Sequence, residues 1–243
     1  MSKGLLLKNT LLYINQYDMS GLSRSFDSLL KTFERVDMTP WDYSVSRAIG
    51  NRCEVGIMGY TALLDIGTGK SADSLIAEQD ANVSLLLGES ATPAVGDLAY
   101  SVPGIQLQGL LQIEAGAVGF APTDFIPKST LTNANYIEPW GVVLEINTRR
   151  TVTQTGDTID QGAQTTAGYT AFLHITVGGA SYTIIIQDSI NGSDWATLHE
   201  FTSTGSAATS EHGGNSGTVD QFVRYLATKT SGDLLAVCVL CRN

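Results

Sequence analysis

The stretch from Ser181 to Phe201, SYTIIIQDSINGSDWATLHEF, constrains the fold more than any other part of the chain. Tyr182, Ile184 and Ile186 alternate with Thr183, Ile185 and Gln187, so a β-branched, period-two run presents one face to a core. The Asn191-Gly192 step that follows supplies residues that tolerate positive φ, and a second strand, Trp195 to Phe201, comes after it. This is a hairpin, and it commits the C-terminal half to β structure.

The 243 residues suffice for one large β domain or two smaller ones. Charged residues make up 16%, well away from the highly charged, apolar-poor signature of a disordered chain. A net charge of −10 argues against a phosphate-binding groove, because nucleic-acid binders concentrate Lys and Arg to displace counterions. The leucines of the opening segment MSKGLLLKNT stop at Lys8 and Asn9, short of a secretory leader. No run reaches the roughly 20 apolar residues of a membrane helix, so no membrane insertion is expected. The three cysteines, Cys53, Cys238 and Cys241, are too few for a disulfide framework and fit a reducing compartment.

Strands are expected at Leu11 to Gln16, Ser23 to Leu30, Thr32 to Met38, Cys53 to Leu64 and Asn82 to Leu87. The polar stretch Thr39 to Asn51, TPWDYSVSRAIGN, reads as a long exposed loop or hairpin arm, and loops of this length usually have work to do. Ser71 to Gln79 is the one short helix expected. The cleanest alternation follows, with Ile105, Leu107, Leu111, Ile113 and Ala115 on one face and Gln106, Gln108, Gln112 and Glu114 on the other. After a strand at Val142 to Asn147, residues Thr151 to Thr166 carry few apolar groups and read as a linker or surface loop. Strands at Tyr169 to Val177, Tyr182 to Gln187, Trp195 to Phe201, Val219 to Thr228 and Leu234 to Cys241 then have the spacing of a small antiparallel sandwich. Thr204 to Gly217 reads as a flexible connection within it.

Four patterns invite a chemical reading, and each has a plainer one. Gly67-Thr68-Gly69-Lys70-Ser71 ends like a phosphate-cradling loop, but the glycine needed five residues before Gly69 is Leu64. Cys238 and Cys241 have the gap of a zinc or redox pair, yet residues three apart on a strand point to opposite faces; Cys238 is expected in the core and Cys241 at an edge or surface. His174 sits in a strand, where a hydrogen-bonded sheet histidine is the default, and no Gly-x-Ser-x-Gly elbow supports a serine triad. Asp188 to Asp194 lacks the alternating acids and the terminal Glu of a calcium loop. No catalytic residue, cofactor or metal site is therefore expected. Trp41, Tyr43, Trp140 and Trp195 would suit a sugar-stacking platform, but they lie in separate segments.

The order of features resembles the major tail tube proteins of long-tailed bacteriophages. The similarity lies in Tyr17-Asp18-Met19-Ser20-Gly21, Val36-Asp37-Met38-Thr39, Ser46-Arg47-Ala48-Ile49-Gly50, Glu54-Val55-Gly56-Ile57-Met58-Gly59-Tyr60 and Gly96-Asp97-Leu98-Ala99-Tyr100. The C-terminal Ile186-Gln187-Asp188-Ser189, Gly192-Ser193-Asp194-Trp195 and Phe222-Val223-Arg224-Tyr225-Leu226 resemble the β domain many of these proteins carry after the tube domain. The resemblance implies an all-β chain with one short helix. A tail-tube β-sandwich or half-barrel over residues 1–150 would be followed by a linker at 151–166 and a small antiparallel β-sandwich at 167–243.

It also implies a virion structural protein, made in the host cytoplasm, whose hexameric rings stack with copies of itself into the tail tube and meet other tail proteins. Genomic DNA would pass through the lumen without specific binding. Gln106, Gln108, Gln112 and Glu114 are then candidates for the lumen face. Trp41, Tyr43, Arg47 and Arg52 are candidates for an arm that joins rings or subunits. A carbohydrate-binding or adhesin module, a capsid decoration or tail-terminator protein, and a hydrolase with a site assembled in space stay open as alternatives.

Overall fold

The computed structural model describes residues 9–37, 48–65, 67, 80–89, 92–106, 111–114, 117–120, 122–127, 131–132 and 138–243. In chain order the strands are β1 (Thr10–Ile14), β2 (Tyr17–Asp18), β3 (Ser23–Ser25), β4 (Ser28–Asp37), β5 (Ala48–Ala62), β6 (Asp80–Leu87), β7 (Leu98–Gln106), β8 (Leu111–Glu114), β9 (Ala117–Phe120) and β10 (Thr123–Pro127). They continue as β11 (Leu131–Thr132), β12 (Trp140–Glu145), β13 (Gln154–Thr155), β14 (Ile159–Asp160), β15 (Tyr169–Val177), β16 (Ser181–Ser189), β17 (Ala196–Glu200), β18 (Thr209–Asn215), β19 (Phe222–Ser231) and β20 (Leu235–Arg242). Every described element is a strand, and the expected helix at Ser71 to Gln79 lies outside the described residues.

One large antiparallel sheet runs in the order β11-β5-β10-β7-β12-β20-β15-β18, with β6 and β1 branching from β7, and β3 and β4 lying along β5. A smaller sheet, β13-β19-β16-β17 with β14 also on β19, covers part of one face. Around β12, β15 and β20 the large sheet is buried on both sides, and the period of two sorts its side chains between them. On β20, Ala236, Cys238 and Leu240 face the small sheet, while Val237, Val239 and Cys241 face the opposite way. This is why LAVCVLCR reads as one apolar run without alternation.

Three apolar clusters follow from this curl. Tyr182, Ile184, Ile186, Val223, Tyr225 and Ala227 of the small sheet pack on β15 and β20 to make the sandwich core. Leu12, Ile14, Val83, Leu85, Tyr100 and Val102 pack against Val55, Ile57, Tyr60 and Phe125 within the N-terminal half. A third, on the other face, joins Tyr13, Leu86 and Ala99 to Val143, Phe172, Val237 and Val239. Each fully buried Val, Leu, Ile or Phe contributes about 1.5–3 kcal/mol, so these clusters supply the main driving force. Within the N-terminal half, the buried Tyr100 hydroxyl accepts from the Gly56 N–H at 3.1 Å and sits against the carbonyl oxygens of Leu30 and Gly56.

Several expectations change. The cleanest alternation is not one strand: Ile105 and Gln106 end β7, while residues 111–114 pair with 117–120 as the separate β8–β9 hairpin. Alternation reports which face a side chain takes and is silent on which strand is the partner. Thr204 to Gly217 contains β18, a seven-residue strand on β15. Its sequence TSEHGGN is polar because the strand lies at the end of the sheet order, where little core is available to one side. The stretch Thr151 to Thr166 is laid along the small sheet, with β13 and β14 both on β19. The C-terminal sandwich shares its larger sheet with the N-terminal half through the β12–β20 ladder, Gly141 opposite Cys241 to Val143 opposite Val239.

Candidate functional site

The longest ladder among the described residues is the β4–β5 hairpin, paired from Ser28 opposite Met58 to Asp37 opposite Ala48. On its other edge β5 meets β10 at Ile57 and Tyr60, and β11 at Arg52 and Cys53. Beyond Arg52, among the described residues, Ala48, Ile49 and Gly50 pair only with β4. The outer edge of β4 pairs with no strand among the described residues.

Of the arm residues, Trp41, Tyr43 and Arg47 lie outside the described residues. Arg52 lies in the rooted part of β5, opposite Glu34 on one side and Thr132 on the other. Of the lumen candidates, Gln106 ends β7 opposite Phe125, and Gln112 and Glu114 are opposite Gly119 and Ala117 in β8–β9. Gln108 lies outside the described residues. The structure therefore places Gln106 in a different sheet from Gln112 and Glu114.

A buried polar seam joins the two halves of the molecule, and no local motif announces it. Where β1 ends, Asn15 takes a left-handed φ of 52°. Its side-chain oxygen accepts from the Asn82 N–H at 2.8 Å and the Ser210 hydroxyl at 3.1 Å. Its carbonyl oxygen lies 2.6 Å from His174 Nδ1, and a carbonyl only accepts, so Nδ1 carries the proton. Nε2 is then the acceptor for the Ser84 hydroxyl at 2.8 Å, and Ser84 accepts in turn from Ser101 at 2.8 Å. Burial holds the His174 pKa down at about 4, against the opposing pull of the Asn15 carbonyl.

Ser84 beside His174 has the spacing of a nucleophile and its base. Both residues are 0% exposed, as is Ser101. No substrate reaches them, so the arrangement serves as a weld between β1, β6 and β7 on one side and β15 and β18 on the other. The signal in the sequence was polar residues at core-facing positions of apolar strands, in VSLLL and FLHIT.

The remaining candidates are held apart. Cys238 and Cys241 point to opposite faces as expected, but Cys241 is buried, since β20 lies between β12 and β15. Burial raises both thiols above their ordinary range. His199 Nδ1 lies 3.2 Å from the Tyr169 hydroxyl, and His212 stacks on Phe172. Gly67 N–H donates to Asp65 in a local turn at 2.9 Å, and Thr68 to Ser71 lie outside the described residues. Trp140 meets Tyr100 edge-on at 4.9 Å in the large sheet. Trp195 lies against the small sheet under the Arg224 guanidinium, 3.9 Å from its ring centre. The two described tryptophans thus belong to different sheets.

The strand pairings define an antiparallel all-β protein, a curled half-barrel sheet with a second small sheet packed on it. No protein-family model matches the chain, and no curated protein matches it. Among solved structures it is similar to the SPP1 Dit (gp 19.1) protein, described as a paradigm of the hub adsorption apparatus in Gram-positive-infecting phages. The identity is 10%, over 96% of this chain and 99% of that one, with a TM-score of 0.35. It is also similar to a chain of infectious bursal disease virus, Gx strain, at 12% identity and a TM-score of 0.27, over 95% of this chain and 55% of that one. Overlaps of this size do not define a shared fold, and the class rests on the pairings themselves.

Proposed function

We propose that this chain is a phage virion structural subunit that assembles with copies of itself into stacked rings, forming a tail tube through which DNA passes. The observation that carries this reading is the β4–β5 hairpin, whose ladder runs from Ser28 to Asp37 and whose outer strand pairs with no further strand among the described residues. A long strand edge with no strand partner in its own chain would be a template for another chain, and a ring of subunits would satisfy it. The order of sequence features from Tyr17 to Leu226 supports the same reading. A net charge of −10 suits a channel that DNA must slide through without sticking. The subunit would work in the virion alongside other tail proteins, with no cofactor and no catalysis.

The test is negative-stain electron microscopy beside light scattering on a sizing column. Rings or hollow tubes are the expected result; a strictly monomeric particle over a wide concentration range would reject the reading. A variant with residues 39–46 replaced by a short turn keeps the described ladder of β5 and is expected to fold without stacking. Long ordered tubes from that variant would remove the arm from the assembly.

A further inference from the structure

We infer that the groove beside Arg242 receives the β16–β17 loop of a second copy of the chain. The inference rests on the self-assembly reading and names one of its contacts. The groove, of about 360 Å³, lies on the large sheet and is floored by Leu98, Trp140 and Val142, with Gln161 and Arg242 at its side. Leu98 and Val142 are cross-strand partners on β7 and β12, and Leu98 is 50% exposed. Arg242 is tied in place by donating from Nη2 to the Ala163 carbonyl, while its Nε–H is buried with no hydrogen-bond partner. None of the described residues that line the groove is acidic. In a chain of net charge −10, an apolar floor beside a guanidinium is suited to an apolar group next to a carboxylate.

The loop at residues 190–195 offers that pair. Ile190 is 56% exposed, and Asp194 is the loop's one charged residue. The loop is built to hold its shape. Ser189 Oγ accepts from the N–H groups of Asn191 and Gly192, and Asn191 Oδ1 accepts from those of Ser193 and Asp194. Trp195 at its end is stacked under Arg224, which Gln187 fixes through Nε at 2.9 Å. A preordered loop loses little entropy on docking.

Loop and groove are different patches, so each copy gives its loop to one neighbour and its groove to another. Such a heterologous contact closes into rings or grows into filaments. A six-residue loop falls short of the roughly 1,200 Å² of a stable interface. It therefore sets register for a larger contact along the β4 edge.

The test compares assembly of the full chain by light scattering and negative stain for wild type, Arg242→Glu, Asp194→Arg and the double variant, with Ile190→Asp alongside. Each single change is expected to raise the concentration for half-assembly by about tenfold or more, and the charge-swapped double variant to recover most of it. Asp194 is exposed, so its variant reports even if the Arg242 variant folds poorly. Single variants that assemble like wild type, or a double variant no better than the singles, would overturn the contact while leaving self-assembly intact. A wild-type protein that never assembles would overturn both.

Discussion

His174 Nε2 lies 2.8 Å from Ser84 Oγ, with both side chains fully buried and 90 positions apart in the chain. The pair, with Asn15 on the far side of the ring, ties the N-terminal strands to β15. Charging the ring would put two N–H donors between a carbonyl oxygen and a hydroxyl, with burial and no carboxylate among the described residues acting on it. The neutral imidazole is therefore part of the fold.

Stability should follow that titration. The folded pKa of His174, about 4, lies below its ordinary value of 6.5. The unfolded chain thus takes up the proton first as pH falls. The contribution is present in full above pH 6.5 and is lost between there and pH 4, on the order of 3 kcal/mol in all. Chemical denaturation at closely spaced pH values should show this slope, and His174→Gln should flatten it. A wild-type curve with no slope between pH 6.5 and 4 would show that His174 is not held neutral.

Thiol chemistry gives a direct count. Cys238 and Cys241 are both 0% exposed, which leaves at most one of the three cysteines, Cys53, open to reagent. A disulfide-exchange dye should therefore label no more than one thiol quickly in native protein and three in denaturant. Rapid labelling of two or more native thiols would contradict the burial of β20.

Glu145 is 1% exposed and receives Arg150 Nη2 at 2.6 Å. Burial pushes its carboxyl pKa up, and the hydrogen bond and charge of Arg150 pull it back. Arg150→Met should cost about 3–5 kcal/mol, because the carboxylate is left buried without its partner. Glu145→Leu with Arg150→Met should recover most of that loss. A double-mutant cycle from urea titrations measures the coupling.

Gly59 stands in β5 at φ +64°, where the register against β10 shifts between Thr123 and Phe125. A Cβ there would lie 2.2 Å from the Asp27 carboxylate. Gly59→Ala should cost about 1–3 kcal/mol in thermal unfolding. Gly21→Ala, where a Cβ meets nothing within 4 Å, is the matched control and should be close to neutral.

The sequence by itself determined what depends on near neighbours along the chain. The β-branched alternation of Tyr182 to Gln187 and the Asn191-Gly192 step predicted the β16–β17 hairpin, which the structure forms with Ile186 opposite His199. The divergence of Cys238 and Cys241 follows from strand period alone. Tertiary structure decided whatever depends on partner choice. β20 became a doubly buried central strand because β12 and β15 flank it, which placed Cys241 inside. Asn15, Ser84, His174 and Ser210 became one network because the sheet curls until β15 and β18 face β1 and β6. Side-chain alternation encodes a face and carries no address for the strand or sheet that will cover it, so pairings across 90 or more residues are settled only when the whole core is packed.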